Sequence, residues 1–273
     1  MGLAGGNQVL DIDMDHYGNV YILAEDHGTI NIDGYTDTTS ITEYSLSSFD
    51  CNGNFRWAKV FGPEGITVRT IDIDTLGGVY VTGDINTVAA SSPLHFSTDT
   101  TVSGAMVGIF VIKYSTAGGF QWFRMPVRDT VNLIGNPSQI LSLTVAPNGR
   151  LDAYTYLTAG SYSNGAFSIT TAGYYVIIYD ALGNFQHLIH LDMNSTNTQY
   201  LSAFLDLHLN RNPQNGRYYI GGRYTTDLGT LSFGNTTIVS NGSMFANIMV
   251  LAAFDSLGNN LWVKRAALIR PAV

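Results

Sequence analysis

"DIDMDHYGNVYI", residues 11–22, decides how the chain is read. Three aspartates alternate with apolar residues, a turn follows, and a second apolar run begins. The stretch is either a calcium loop or a strand, a turn and a strand. A helix-flanked calcium loop takes oxygen ligands at positions 1, 3 and 5, Gly at 6 and Glu at 12. Asp11, Asp13 and Asp15 supply the first three, but His16 stands at 6 and Ile22 at 12. The loop cannot wrap an ion in that way. In a strand, residues 11, 13 and 15 share one face, and Val9, Leu10, Ile12 and Met14 supply the apolar part. The strand–turn–strand reading is therefore the one carried along the chain.

Composition agrees with it. Of 273 residues, 45% are hydrophobic, enough for a sizeable core, and only 12% are charged. The wet faces of long amphipathic helices need more Glu, Lys and Arg than that. Gly (29), Tyr (16) and Phe (13) suit short strands joined by tight turns instead. Net charge is −8 and the 13 basic residues form no run, which argues against a nucleic-acid partner. No apolar stretch is long enough to span a membrane as a helix. Cys51 is the sole cysteine, so an intrachain disulfide and a cysteine zinc cluster are excluded. The opening "MGLAGGNQVLDID" lacks a charged-then-apolar leader.

The same order of events occurs four times. A strand leads to a Gly turn and a Tyr/Val-rich strand. A polar stretch of variable length follows, then a third strand, a second Gly turn and a fourth strand. The first turn reads "HYGNVYILA" (16–24), "TLGGVYVTG" (75–83), "APNGRLDAYTY" (146–156) and "PQNGRYYIGG" (213–222). The second reads "SSFDCNGNFRW" (47–57), "IKYSTAGGFQW" (112–122), "IIYDALGNFQH" (177–187) and "AAFDSLGNNLW" (252–262). Gly53, Gly118, Gly183 and Gly258 mark the period. Gly or Asn at positive φ would make each turn a tight hairpin. A four-stranded unit with two apolar faces cannot stand alone, so the units must stack.

The pattern, as in "DHYGNVYILA", "DTLGGVYVTG", "GIFVIKYSTAGGFQW" and "LAAFDSLGNNLWVKRA", resembles the bacterial seven-bladed β-propeller repeat, the SBBP repeat. The loop "GTLSFGNTTIVSNGSMFANIMV" (229–250) resembles that family's segment between second and third strands. The resemblance covers nearly the whole chain. It implies an all-β β-propeller of four four-stranded antiparallel blades, a single domain over 1–273, with blades near 7–62, 66–127, 139–192 and 200–266. It implies little about activity, and a secreted or surface setting. The sequence departs from the pattern in holding four repeats, in His187 where the others have Trp, in the weak "GRLDAYTY", and in "NRNP" (210–213) ahead of the fourth turn. The ring is closed with four blades, or the chain is an arc of a larger propeller, or two chains pair. The "GG" at 5–6 and the tail "WVKRAALIRPAV" favour the arc.

In a propeller the first strand of each blade lies nearest the axis. Asp13, Asp72, Thr144 and His208 would then form one polar tier facing the channel. Crowded carboxylates raise each other's pKa unless a cation or water relieves them. Asp11, Asp13, Asp15, Asp72 and Asp74 are the candidate ligands for calcium or magnesium there; the plainer reading is a solvated wall with no cofactor. Trp57, Trp122 and Trp262, with His187 in the fourth slot, read as structural positions packed between blades. His187 and His190 face opposite sides of a strand and share no metal. Cys51 reads as a tolerated turn residue.

No nucleophile elbow, zinc-protease helix, phosphate loop or dinucleotide fingerprint is present. Asn194, Asn235 and Asn241 begin N-x-S/T triplets, which matter only in a eukaryotic secretory setting. The stretches 25–42, 84–106, 157–173 and 223–246 vary on a repeated scaffold, where recognition surfaces are usually built. These features lead to a non-enzymatic extracellular or surface scaffold that binds protein or glycan through its loops. The alternatives are a polysaccharide hydrolase or lyase with acidic residues near the axis, and a structural repeat protein of a virion. Self-association is expected if the ring is incomplete.

Overall fold

The computed structural model describes residues 8–32, 35–62, 65–86, 93–103, 107–126, 138–162, 166–195, 205–225, 230–238 and 247–267. The fold is all-β: strands make up 70% and the described residues contain no helix. Four large antiparallel sheets carry it, three of four strands and one of four strands extended by two more. Sheet 1 is β1 (Gln8–Met14), β2 (Val20–Ile32), β3 (Tyr35–Phe49) and β4 (Phe55–Gly62). In sheet 2, β5 (Ile66–Ile73) and β6 (Gly78–Asn86) come first. After a small hairpin, β7 (Leu94–Phe96) and β8 (Thr100–Val102), the sheet is completed by β9 (Val107–Ser115) and β10 (Phe120–Arg124). Sheet 3 follows the same plan. Its strands are β11 (Gln139–Val145), β12 (Leu151–Leu157), β15 (Gly173–Tyr179) and β16 (Phe185–His190), with a hairpin of β13 (Gly160–Tyr162) and β14 (Phe167–Ile169). After β17 (Met193–Ser195), sheet 4 has β18 (Leu205–Arg211), β19 (Tyr218–Thr225), β22 (Asn247–Phe254) and β23 (Asn260–Ala267). Its hairpin is β20 (Leu231–Phe233) and β21 (Thr236–Ile238).

Pairing register makes the repeats equivalent residue by residue. A bulge interrupts each fourth strand, and the residue just past it pairs with the third strand: Ser48 with Trp57, Lys113 with Trp122, Ile178 with His187, Ala253 with Trp262. First strands carry a second bulge at Leu10, Arg69 and Leu141; β18 lacks it.

First strands lie side by side, β1 beside β5, β5 beside β11 and β11 beside β18. Among the described residues no comparable approach joins β18 back to β1. The sheets therefore form a row with two ends, and the closed four-sheet alternative is not the one these contacts describe. Three apolar cores fill the gaps between sheets. Tyr21, Leu23, Tyr44 and Leu46 of sheet 1 pack on Ile71, Val79, Val81 and Ile112 of sheet 2. Ile109, Val111 and Trp122 on the other face of sheet 2 pack on Ile140, Leu143, Ala153 and Ile177 of sheet 3. Tyr174, Val176 and Ile189 then meet Leu207, Leu209, Ile220 and Val250 of sheet 4. Each sheet thus has a leading face toward its predecessor and a trailing face toward its successor. A strand's period of two supplies both faces from one sequence.

Candidate functional site

The turn aspartates have a local task. Asp50 Oδ1 accepts the main-chain N–H groups of Asn52 and Asn54 at 2.9 and 2.8 Å, and its Oδ2 accepts the Asn54 side-chain amide at 2.8 Å. Asp180 with Asn184 and Asp255 with Asn259 repeat the arrangement. Asp and Asn in D-x-x-G-N therefore clamp the turn, and Gly alone takes the positive φ: Gly53, Gly118, Gly183 and Gly258 lie between 76° and 91°. Asn does not adopt it; Ser97 is the one non-Gly residue at positive φ among those described. Hydrogen bonds from Asn184 hold Asp180 below the usual carboxylate range, and Asn259 does the same for Asp255.

Asp15 and Asp74 are used likewise. Asp15 accepts from Tyr17 and Asn19 N–H, from the Asn19 amide, and from the Tyr21 hydroxyl at 3.0 Å. Asp74 accepts from Leu76 and Gly78 N–H and from Tyr80 Oη at 2.8 Å, and pairs with Lys113 at 3.5 Å. The opening stretch is thus strand, turn and strand.

Asp11 and Asp72 stitch first strands together, with Asp13 between them. Asp11 accepts Ile12 N–H of its own strand at 2.9 Å and Ile71 N–H of the next sheet at 3.0 Å, with Thr70 Oγ1 at 2.5 Å. Asp72 accepts Ile73 N–H at 2.8 Å and reaches Val145 N–H of sheet 3 at 2.7 Å. Asp13 accepts Met14 N–H of its own strand at 2.7 Å. In the next joint Ser142 Oγ accepts Leu209 N–H at 2.9 Å. Burial raises the Asp72 carboxyl to about 7, the charges of Asp13 and then Asp11 adding to it, while the two N–H donors oppose. Asp13 is also raised, by burial and by Asp11.

The fourth member of the tier needs correction. Turn bonds run from Asp15 N to Asn19 O, Asp74 N to Gly78 O, Ala146 N to Arg150 O and Asn212 N to Arg217 O. Counting back from these turns, Asn210, not His208, matches Asp13, Asp72 and Thr144. His208 matches Asp11, Thr70 and Ser142, and is exposed. "NRNP" is not an insertion ahead of the turn: Asn210 and Arg211 end β18, and the turn itself is one residue longer than the others. A divalent ion fits this tier poorly, because both oxygens of Asp11, Asp15, Asp72 and Asp74 already accept hydrogen bonds. No group of three or more metal-ligating side chains gathers among the described residues.

Side chains on the trailing face close the first two joints onto the second Gly turn of the next sheet. Trp57 Nε1 and Arg56 Nη2 both donate to the Thr116 carbonyl at 3.0 Å, and Tyr21 Oη, which donates to Asp15, lies 3.4 Å from the same carbonyl. The indole lies so close over Gly118 that a Cβ there would sit 2.9 Å from it. At the second joint Trp122 Nε1 and Lys113 Nζ both donate to the Ala181 carbonyl at 3.3 Å, Arg124 donates to the Gly183 carbonyl at 2.6 Å, and Trp122 covers Gly183. Tyr21 lies tilted beside Trp57 and Tyr80 edge-on to Trp122, with ring centroids 5.8 and 5.9 Å apart. The expectation that Trp packs between sheets thus describes Trp57 and Trp122. Trp262 is exposed, since among the described residues no sheet packs on its face.

At the third joint both aromatic partners are replaced. His187 is exposed, and Asp152 stands where the tyrosine would be. Arg150 bonds it at 2.8 Å, Arg211 of sheet 4 lies at 3.6 Å, and Tyr218 Oη donates at 3.4 Å. Burial raises the Asp152 carboxyl, and Arg150 and Arg211 pull it back down. The turn socket is filled by main chain: Asp192 N donates to the Gly258 carbonyl at 2.8 Å, and the His190 carbonyl presses on Gly258. His190 stacks on Tyr175 at 4.8 Å. His187 is thus one half of a coordinated exchange, whose signal in the sequence was the loss of both Tyr and Trp in one repeat.

The variable stretches are partly committed to the joints. Phe61 and Gly62 of β4 pair with Phe96 and His95 of β7, so the hairpin of sheet 2 extends sheet 1. Strand β20 pairs with β17, which follows sheet 3. Outward residues His95, Thr101, Ser168, Thr236 and Thr237 remain exposed. Asn194 and Asn235 are exposed, Cys51 is a free exposed thiol, and Asn241 lies outside the described residues. No described helix is long and apolar enough to cross a membrane. Comparison with family models finds no match, and none of the curated proteins matches the chain in sequence.

Proposed function

We propose that the four sheets are blades of a propeller-type array, as the resemblance of the repeat implies, and that the chain is a non-enzymatic scaffold of an extracellular or surface setting. It binds protein or glycan through the hairpins between second and third strands. One observation supports this above the others: the joints reuse the same turn sockets and first-strand stitches, while the hairpins between them differ in length and sequence. A scaffold held constant with its projections varied is the arrangement of a binding protein.

The test is a glycan array and a surface-protein panel, run on the wild type and on a variant with His95, Thr101, Ser168, Thr236 and Thr237 changed to Ala. Binding that is lost in the variant at unchanged melting temperature supports the reading. Binding that survives the variant, or no binding to either panel, removes it. A second reading, a polysaccharide hydrolase or lyase, draws on Asp72 and Asp13: an acid titrating near neutrality beside an anionic partner is the pairing such chemistry uses. Release of reducing ends that disappears in Asp72→Asn would establish that reading in place of the first.

A further inference from the structure

The two ends of the row carry the unfilled halves of one joint. On the trailing face of sheet 4, Leu251 is 46% exposed, whereas its equivalents Leu46, Val111 and Val176 are fully buried. Met249 is 60% exposed against at most 8% for Tyr44, Ile109 and Tyr174. Trp262 still lies beside Tyr219 at 6.3 Å, as Trp57 and Trp122 do beside their tyrosines, but is 37% exposed where Trp122 is 8%. On the leading face of sheet 1, Ile12 is 58% exposed, while Ile71, Leu143 and Leu209 are at most 6%. The second Gly turn of sheet 1 is open too. Gly118, Gly183 and Gly258 are each pressed by the preceding sheet, yet nothing lies within 4 Å of a Cβ built on Gly53.

We infer that these two faces are a docking surface for a second copy of this chain, the trailing face of sheet 4 of one copy receiving the leading face of sheet 1 of the other. Trp262 then covers Gly53, and its Nε1 donates to the Cys51 carbonyl, the counterpart of the Thr116 and Ala181 carbonyls. The occupant follows from continuity. The interface is the one the chain makes three times within itself, and its two halves are complementary rather than self-complementary. On the sheet 4 side, Met249, Leu251 and Trp262 form exposed apolar surface of the kind that marks an interaction site. Such a heterologous contact closes a ring of two chains or propagates into a longer row, according to the rotation each joint imposes. The leading face of sheet 1 carries Asp26, Ser45 and Ser47 where sheet 2 has Ile85, Phe110 and Ile112; Ser45 bonds Asp26 at 2.5 Å and both serines are buried, so the open part of this face is the end around Ile12 and Gly53. The joint between copies is accordingly weaker than the joints within one, and it is reversible on dilution.

Mass measurement by light scattering across a hundredfold range of chain concentration tests this. The inference stands on the joint and not on any ligand, so the panel experiments above leave it untouched. The wild type should double in mass, or more, as concentration rises. Ile12→Asp spoils only the leading face and Leu251→Asp only the trailing face. Each variant alone should remain a single chain, and an equal mixture should form a one-to-one dimer through the two intact faces. Both residues are exposed, so wild-type melting temperatures at low concentration certify the fold; Ile12→Ser and Leu251→Ser replace any variant that melts early. A wild type that stays a single chain throughout overturns the inference, as does self-association that survives Ile12→Asp.

Discussion

The first and third joints of the row solve one problem with different chemistry. Between sheets 1 and 2 an indole and a tyrosine lie over a glycine turn and converge on the Thr116 carbonyl. Between sheets 3 and 4 a carboxylate held by two arginines replaces the aromatic pair, and the main chain of β16 presses on the turn directly. What persists is the socket, a positive-φ glycine offering its turn to the sheet before it. What varies is the plug. Repetition here preserves the geometry of the joint more strictly than the residues that fill it.

The glycines give the sharpest way to break the comparison. Gly258→Ala drives a methyl into the His190 carbonyl, a main-chain atom that cannot swing aside, and should cost about 3–5 kcal/mol. Gly53→Ala meets nothing and should cost only the left-handed penalty, about 1–2 kcal/mol. Urea melts of both variants check the difference. Trp122→Ala should cost about 3–5 kcal/mol by opening a cavity between sheets 2 and 3. Trp262→Ala, measured on dilute single chains, should cost less than about 1 kcal/mol, and equal losses would mean the repeats are not read correctly. Asp152→Asn leaves Arg150 and Arg211 without their shared carboxylate and should lower the melting temperature, while His187→Ala, on an exposed residue, stays within about 0.5 kcal/mol.

The pH effect is of a different kind, carried by one buried carboxyl. The folded pKa of Asp72 is raised to about 7 while the unfolded value stays near 4. The folded state therefore holds the proton more tightly. The contribution of Asp72 to stability is largest below pH ~4, and is lost as pH climbs from there to about 7. A carbon-detected NMR titration should show an inflection near neutrality for Asp72, and Asp13→Asn, by removing a neighbouring charge, should move it down.

Much of this was legible in the sequence. The D-x-x-G-N turns declare themselves because Asp and Asn are both needed to clamp the backbone around a positive-φ glycine. Alternation of apolar residues gave the strands. The register of the fourth repeat was not legible, because a turn one residue longer and a first strand without its bulge look, in one dimension, like an insertion. The period of two places Asp13 and Asp72 on one face of their strands but does not record that they and Asp11 bond to the strand itself, or that Asp11 and Asp72 reach across to the next one. Trp262 looked like its repeat mates because burial depends on a neighbour that no local pattern records. The replacement of both Tyr and Trp in the third repeat was visible, but the ion cluster that compensates joins residues about sixty apart.

The three tryptophans offer the most direct test of the claim that the joints are equivalent plugs and sockets. Exchange of the three indole N–H protons with water, followed by ¹⁵N-edited NMR on dilute single chains and assigned with Trp→Phe variants, reads each joint separately. Trp57 and Trp122, bonded to the Thr116 and Ala181 carbonyls, should exchange at least tenfold more slowly than Trp262. Three equal rates, or a protected Trp262 beside an unprotected Trp57, would contradict the account.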